Sequence, residues 1–305
     1  MTIPSQWTKQ GLLEAYEEHL QRVRGAQFET CRGYGRYARQ FLEAVFAEQR
    51  VDPHVIQPSD IAQFIQAGSR RWRPGSVKTV AAALRSFLRF LRFLGVGDAR
   101  LSDAVPTVAR WRLATLPRSL DEAQLGQLHA ALDPSTRRGR RDRAIILCLA
   151  GLGLRAAEVA GLHLQDLDWR ASTLQVRARK TRRGDVLPIP GDVGRAIVAY
   201  LRDGRPTIQD RHVFVVERSG VPLSARAVRD VVRTALRRAG IAGLATSGSH
   251  VLRHTLAVRM VRQGVSLKEI ADVLGHRCLD TTAIYAKVDL PSLADVGLPW
   301  PEVTP

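Results

Sequence analysis

The run from Ser76 to Gly95 constrains the fold more than any other stretch. Val77, Val80, Leu84, Phe87, Leu88, Leu91 and Leu94 recur at helical spacing, so one face of this helix must be covered by partners. Ser76 is the expected N-cap and Gly95 the expected stop. Candidate partners precede it. Apolar residues recur at helical spacing from Leu12 to Val23 and from Tyr37 to Phe46, and Pro58-Ser59-Asp60 reads as the start of a third helix. Residues 1–100 are therefore predicted to form a small all-helical domain.

The other face of the Ser76–Gly95 helix carries Lys78, Arg85, Arg89 and Arg92. A lone charged stripe is usually a solvated face. Here Arg70, Arg71, Trp72 and Arg73 lead directly into it, and the 305-residue chain has a formal charge of +17. Such an excess favours a polyanion, because lysine and arginine displace counterions from nucleic acid. The reading is therefore that Arg70, Arg71, Arg73, Lys78, Arg85, Arg89 and Arg92 contact DNA. The three cysteines, Cys31, Cys148 and Cys278, are too scattered for a disulfide scaffold and fit a reducing cytoplasm. No apolar run is long enough to cross a bilayer, and the start does not read as a signal peptide. A cytoplasmic protein without a membrane partner is expected.

From Leu101 to Pro117 the periodicity lapses around Pro106, and residues 101–117 read as an interdomain linker. Ser119-Leu120-Asp121-Glu122 then reads as a capping box opening a second domain, with a helix to about Leu132. Arg137, Arg138, Arg140, Arg141 and Arg143 follow, open to two readings: phosphate contact or a solvated face. Ile145–Leu149 is an apolar helical segment broken at Gly151 and Gly153, which leaves Arg155 just past a glycine turn. Thr173–Val176 and Val186–Ile189 read as strands joined by a turn over Lys180–Gly184, and Val213–Val216 is a candidate third strand. Asp192–Leu201 and Ala225–Ala239 have helical periodicity, the second capped by Ser224. Residues 118–290 form the second domain in this reading, and the proline-interrupted residues 291–305 a tail. The fold class is mainly α with a small β-sheet.

The chemistry concentrates between His250 and Tyr285. His250, Arg253 and His254 share a helical face; Ser249 or Ser247 is the candidate cap and Gly264 the stop. Ser266-Leu267-Lys268-Glu269 is a capping box for the next helix, which closes at Gly275 and leaves His276 at its end. Tyr285 follows nine residues later. A phosphodiester gains negative charge as a nucleophile adds, so always-charged, two-pronged arginines suit its non-bridging oxygens. A tyrosine hydroxyl can serve as nucleophile and a lysine can protonate the leaving oxygen. Arginines supply the positive charge, so no metal or other cofactor is required.

The run from Ser249 to Val288 resembles the signature of the tyrosine recombinases, the integrase family that includes phage integrases and Xer-type resolvases. Its His-x-x-Arg, Leu-Gly-His and downstream tyrosine fall on His250, Arg253, His276 and Tyr285. Its first arginine lies in a Gly-Leu-Arg-x-x-Glu pattern, matched at Gly153–Glu158, and its hairpin lysine, eight residues before a proline, corresponds to Lys180 before Pro188. The resemblance is to Xer-like members without an amino-terminal arm-binding domain. It implies a helical, SAM-like core-binding domain over residues 1–100 and a tyrosine-recombinase catalytic domain over residues 118–290. It further implies catalytic Arg155, Lys180, His250, Arg253, His276 and Tyr285, with Glu158 orienting the site. Double-stranded DNA is the implied substrate, cut through a 3′-phosphotyrosine by a homo- or hetero-tetramer. The element served would be a phage, a transposable element or the chromosome, a mobile element being preferred.

Three rivals have less behind them. Zinc on His250, His254, His276 and Cys278 would be opposed by Arg253 and lacks paired Cys-x-x-Cys spacings. A type IB topoisomerase uses similar groups, but the helical first domain and modest length favour recombination. A non-catalytic DNA-binding regulator would not need the intact catalytic positions.

Overall fold

The computed structural model describes residues 7–72, 74–107, 117–177, 185–245, 248–276 and 278–288. The chain divides into two compact units, Met1–Trp111 and Arg112–Pro305.

The first unit is helical. Strand β1 (Trp7–Thr8) leads into helix α1 (Lys9–Glu18), which Thr8 caps by accepting from the Gly11 amide at 3.0 Å. Helix α2 (Phe28–Val45) follows, then β2 (Arg50–Val51), antiparallel to β1 with Trp7 opposite Val51. Helix α3 (Pro58–Ser69) and helix α4 (Pro74–Phe93) complete the set. Helix α4 starts two residues before the expected Ser76 cap, because Pro74 fits a first helical turn whose amide would be unpaired anyway. Its predicted stripe is buried from Val80 to Leu94 and is widened by Ala81, Ala83 and Phe90, whereas Val77 is only partly covered. Gly95 ends the helix at φ +75°, with the Val96 amide bonded back to Leu91 and the Gly95 amide to Arg92. Leu101 and Val105, expected in the linker, are buried in this unit's core. The packed chain therefore runs past residue 100; residues 108–116 lie outside the described residues.

The second unit opens with helix α5 (Glu122–Ala130), capped reciprocally by Asp121 and Gln124 and so two residues later than Ser119 predicts. The cause is long-range. The Leu120 amide donates to Thr255 Oγ1 at 2.9 Å and its side chain is buried, which fixes it outside the helix. Helix α6 (Arg137–Gly151) is the centre of the core: every residue from Ala144 to Ala150 is buried. A helix apolar all round must be covered all round, and Val193, Ile197 and Tyr200 of a later helix belong to the same cluster.

After the short helix α7 (Ala156–Ala160), strands β3 (Leu167–Asp168), β4 (Thr173–Val176) and β5 (Asp185–Pro188) form an antiparallel sheet in that order, with Leu174 opposite Leu187. The third strand is thus β3 and not Val213–Val216. Val213, Phe214 and Val215 are buried, but the segment pairs through an isolated bridge, Val215 to Pro222, flanked by bonds from the Val216 amide to Val221 and from the Leu223 amide to Phe214. Helix α8 (Gly191–Asp203), helix α9 (Ala225–Arg238, capped by Ser224), helix α10 (Ala242–Ala245), helix α11 (His250–Arg262) and helix α12 (Leu267–Val273) follow. Tyr285 sits on a tight 3₁₀ turn, Ala283–Val288. The architecture is mainly α with small sheets, as expected.

Candidate active site

Gly153 starts the site. Its φ of +62° suits glycine, and a Cβ there would lie 2.8 Å from Leu274 Cδ2 and 3.0 Å from Leu256 Cδ2. This close approach brings the end of α6 against α11 and α12. The turn then presents Arg155 at the head of α7. Glu158 grips it twice, accepting from the Arg155 amide and from Nη1, each at 2.7 Å.

The two arginines converge on one helix end. Arg155 Nη2 donates to the Gly275 carbonyl at 3.4 Å, and Arg253 donates through Nη2 to the Leu274 carbonyl and through Nη1 to that of Gly153. Arg253 is 5% exposed, whereas the Arg155 side chain is 42% exposed. Gly275, at φ +57°, closes α12 with the His276 amide bonded back to Ala271, which turns His276 toward the arginines. The His276 ring is held through Nδ1 by Thr282 Oγ1 at 2.8 Å, and Thr282 is fully buried.

Tyr285 lies in a small apolar cluster with Ala257, Val258, Val261, Ile270 and Leu274. Its hydroxyl is 2.6 Å from His254 Nδ1. The Ser266–Glu269 capping box forms as predicted. Ser249 precedes α11 but makes no capping bond with its side chain.

Burial and two fixed cations set the electrostatics. Burial pushes the Tyr285 phenol up to about 12, partly countered by Arg253. His254 is held down at about 4 by burial and by His250 and Arg253; His276 is held at about 4 by burial, Arg253, Arg155 and His254. His250 remains open to solvent on one side, yet crowding and then Arg253, Arg155 and Arg229 lower it as well. Desolvation and the neighbouring Arg155 bring even Arg253 down to about 10. Near neutral pH the pocket therefore holds neutral imidazoles and two guanidinium charges, an arrangement suited to an anion.

The structure brings Arg155, Glu158, His250, Arg253, His276 and Tyr285 into one neighbourhood. Lys180 and Arg73 lie outside the described residues. Asp166 pins the end of the strand leading toward Lys180, accepting from Arg177 Nε at 2.6 Å. In the first unit Arg70, Arg71, Lys78, Arg89 and Arg92 are exposed. Arg85 differs from them, donating to the carbonyls of Val105 and Pro106 at 2.9 and 3.0 Å. Among the described residues no group of three or more His, Cys, Asp or Glu is placed to hold a metal. Sequence reasoning gave His254 a place only in the rival zinc set and gave Thr282 no role. The helical spacing put His254 beside His250, but only the long-range packing of the 3₁₀ turn aims it at Tyr285.

Solved structures share this fold. The XerH site-specific recombinase, in a post-cleavage complex with palindromic difH substrate, matches with a TM-score of 0.72 at 18% identity, over 93% of this chain and 83% of that one. A lambda integrase(75–356) dimer bound to a COC′ core site gives 0.69 at 17% identity, over 98% and 99%. The fold is that of the tyrosine recombinases.

Residues 118–290 match the phage integrase family, and the chain belongs to it. The putative integrase/recombinase y4rA of Sinorhizobium fredii is 40% identical over 291 residues, 95% of this chain and 70% of that protein. Tyrosine recombinase XerC of Thermodesulfovibrio yellowstonii is 30% identical over 291 residues, 91% and 92%.

Proposed function

We propose that this chain is a site-specific DNA recombinase that cuts and rejoins double-stranded DNA through a 3′-phosphotyrosine. The observation that carries the reading is the convergence of Arg155 and Arg253 on adjacent carbonyls beside His276, with the Tyr285 segment packed against the same helices. Tyr285 Oη attacks the scissile phosphorus, and the bond to the 5′ oxygen breaks. Arg155 and Arg253 neutralise the charge gathering on the non-bridging oxygens, His276 donates a hydrogen bond to them, His250 assists at the tyrosine end, and Glu158 orients Arg155. Lys180 protonates the departing 5′ oxygen. A 5′-hydroxyl from a partner strand then attacks the phosphotyrosine, which releases Tyr285 and leaves the number of phosphodiester bonds unchanged. The ester conserves the energy of the broken bond, so no cofactor is needed.

Exchange between two duplexes calls for four copies, so the working assembly is a homo- or hetero-tetramer on DNA. The exposed basic groups Arg70, Arg71, Lys78, Arg89 and Arg92 serve DNA from the first unit. In the second unit Arg226, Arg229, Arg233 and Arg237 form an exposed row on α9, and the charge of Arg229 reaches His250. Likeness to the y4rA protein supports integration or mobile-element service. No helix among the described residues is long and apolar enough to cross a membrane, and Cys31, Cys148 and Cys278 are free thiols, which suits the cytoplasm.

Selection of duplexes from a random-sequence pool tests this, with adducts trapped by detergent. The wild type should enrich a defined duplex and become covalently attached to it; Tyr285→Phe should bind the same duplex without attachment. Adduct at wild-type yield from Tyr285→Phe, or no enriched duplex with either protein, overturns the reading.

A further inference from the structure

The Tyr285 hydroxyl is bonded to His254, the residue after Arg253, and not to His250. His250 lies one turn back on α11, its ring centroid 6.5 Å from that of His254, on the solvent-open side near Arg155 and Arg229. We propose that His254 is a catalytic residue of this chain: its Nδ1 receives the proton of Tyr285 as the phenol attacks, taking over the tyrosine-end role given above to His250, which then serves the phosphate. The inference rests on the recombinase reading above.

The step balances. The Oη–H bond breaks as Oη–P forms, the proton passes to Nδ1, and the P–O5′ bond breaks with its oxygen protonated by a separate donor. When an incoming 5′-hydroxyl displaces the phosphotyrosine, its proton passes to that donor, now in its basic form, and the Nδ1 proton returns to Oη. The tautomer this requires carries its hydrogen on Nε2 and leaves Nδ1 as a bare acceptor.

The surroundings suit both directions. The titratable groups acting on His254 are His250 and Arg253 on its own helix, and Tyr285 and His276 from the segments packed against it. Burial and the Arg253 charge leave Nδ1 unprotonated, and the negative charge of an arriving phosphodiester offsets the cations that would otherwise weaken it as a base. The Arg253 charge destabilises the imidazolium once formed, so the proton is easily surrendered during rejoining. A contact that only filled a buried polar gap would need an acceptor and no basicity.

That difference decides the test. Asparagine places an amide oxygen near the position of Nδ1, accepting a hydrogen bond but taking up no proton. Wild type, His254→Asn, His254→Ala and His250→Asn would be compared on the duplex recovered by selection, nicked so that the adduct cannot rejoin. A 5′-bridging sulfur in place of oxygen frees the leaving step from its acid, so the rate reports attack alone. His254→Asn and His254→Ala should form adduct about 100-fold more slowly at neutral pH, within the usual range for a lost general base. Their rates should climb tenfold per pH unit from 7 to 9 as hydroxide replaces the missing base, while wild type and His250→Asn stay level. Duplex affinity and urea midpoints measured alongside separate a folding defect from a chemical one. His254→Asn matching wild type in rate and profile, or the hydroxide dependence appearing in His250→Asn instead, overturns the inference and leaves the recombinase reading intact. Absence of any wild-type adduct removes that reading and this one together.

Discussion

Arg253 donates through Nη1 to the carbonyl of Gly153, which ties helix α11 to the glycine turn that presents Arg155. Its other terminal nitrogen serves Leu274. A lysine ammonium cannot span both acceptors in one plane. Arg253→Lys should lower the adduct-forming rate by about 10²–10³-fold, comparable to losing an oxyanion donor. It should also cost about 1–3 kcal/mol in urea unfolding through carbonyls left unpaired. Unchanged single-turnover rates would contradict the assignment of Arg253.

Gly153 combines a left-handed backbone with a contact too close for a Cβ. Gly153→Ala should therefore destabilise the second unit by about 1–3 kcal/mol, the usual cost of a strained backbone position. Because the turn also positions Arg155, adduct formation should fall under conditions where the variant remains folded. Thermal melts and trapping assays on the same preparation check both.

Glu158 serves the Arg155 amide and guanidinium at once. A glutamine can still accept at the helix start but brings no charge to hold the guanidinium. Glu158→Gln should shift stability by less than about 1 kcal/mol and leave DNA affinity unaltered, while slowing adduct formation about tenfold. An equal loss in affinity and rate would show that Glu158 supports folding only.

His254 and His276 are held near 4, below the value of about 6.5 expected in the unfolded chain. The unfolded state thus binds more protons as pH falls, and the stability these neutral rings contribute is lost between about 6.5 and 4. Urea midpoints should decline from about pH 7 to 5, before most carboxylates titrate. His276→Asn should reduce that slope; an identical slope would mean its ring titrates normally.

The basic face of α4 is not uniform. Arg89 and Arg92 project into solvent, whereas Arg85 holds the Val105 and Pro106 carbonyls. Arg89→Ala should reduce the salt dependence of DNA binding by about one counterion. Arg85→Ala should lower the unfolding midpoint and leave the salt slope intact. Equilibrium binding at several salt concentrations distinguishes them.

What could be read from residues alone follows from the range of the forces involved. The stripe on α4, the Ser224 and Ser266 caps and the Gly95 stop are local, set by spacing and a few backbone bonds, and they formed as the pattern required. The start of α5 was misplaced because Thr255, distant in sequence, holds Leu120 outside the helix. Leu101 and Val105 lacked periodicity, yet they bury because they pack on helices formed by earlier residues. In the site, Arg155, Arg253, His276 and Tyr285 were legible as residue types at motif spacing. The bond between His254 and Tyr285 was not, since a side chain's direction on a 3₁₀ turn depends on what fills the space beneath it.

Two like charges driven into one crevice should push each other apart, yet Arg155 and Arg253 rest at neighbouring carbonyls of the Leu274–Gly275 corner. The carboxyl-terminal end of a helix carries partial negative charge on just such unpaired oxygens. In the free chain those oxygens offset the mutual repulsion of the two cations. The crevice consequently needs no bound anion to hold its cations together: the work of gathering them is done once, during folding.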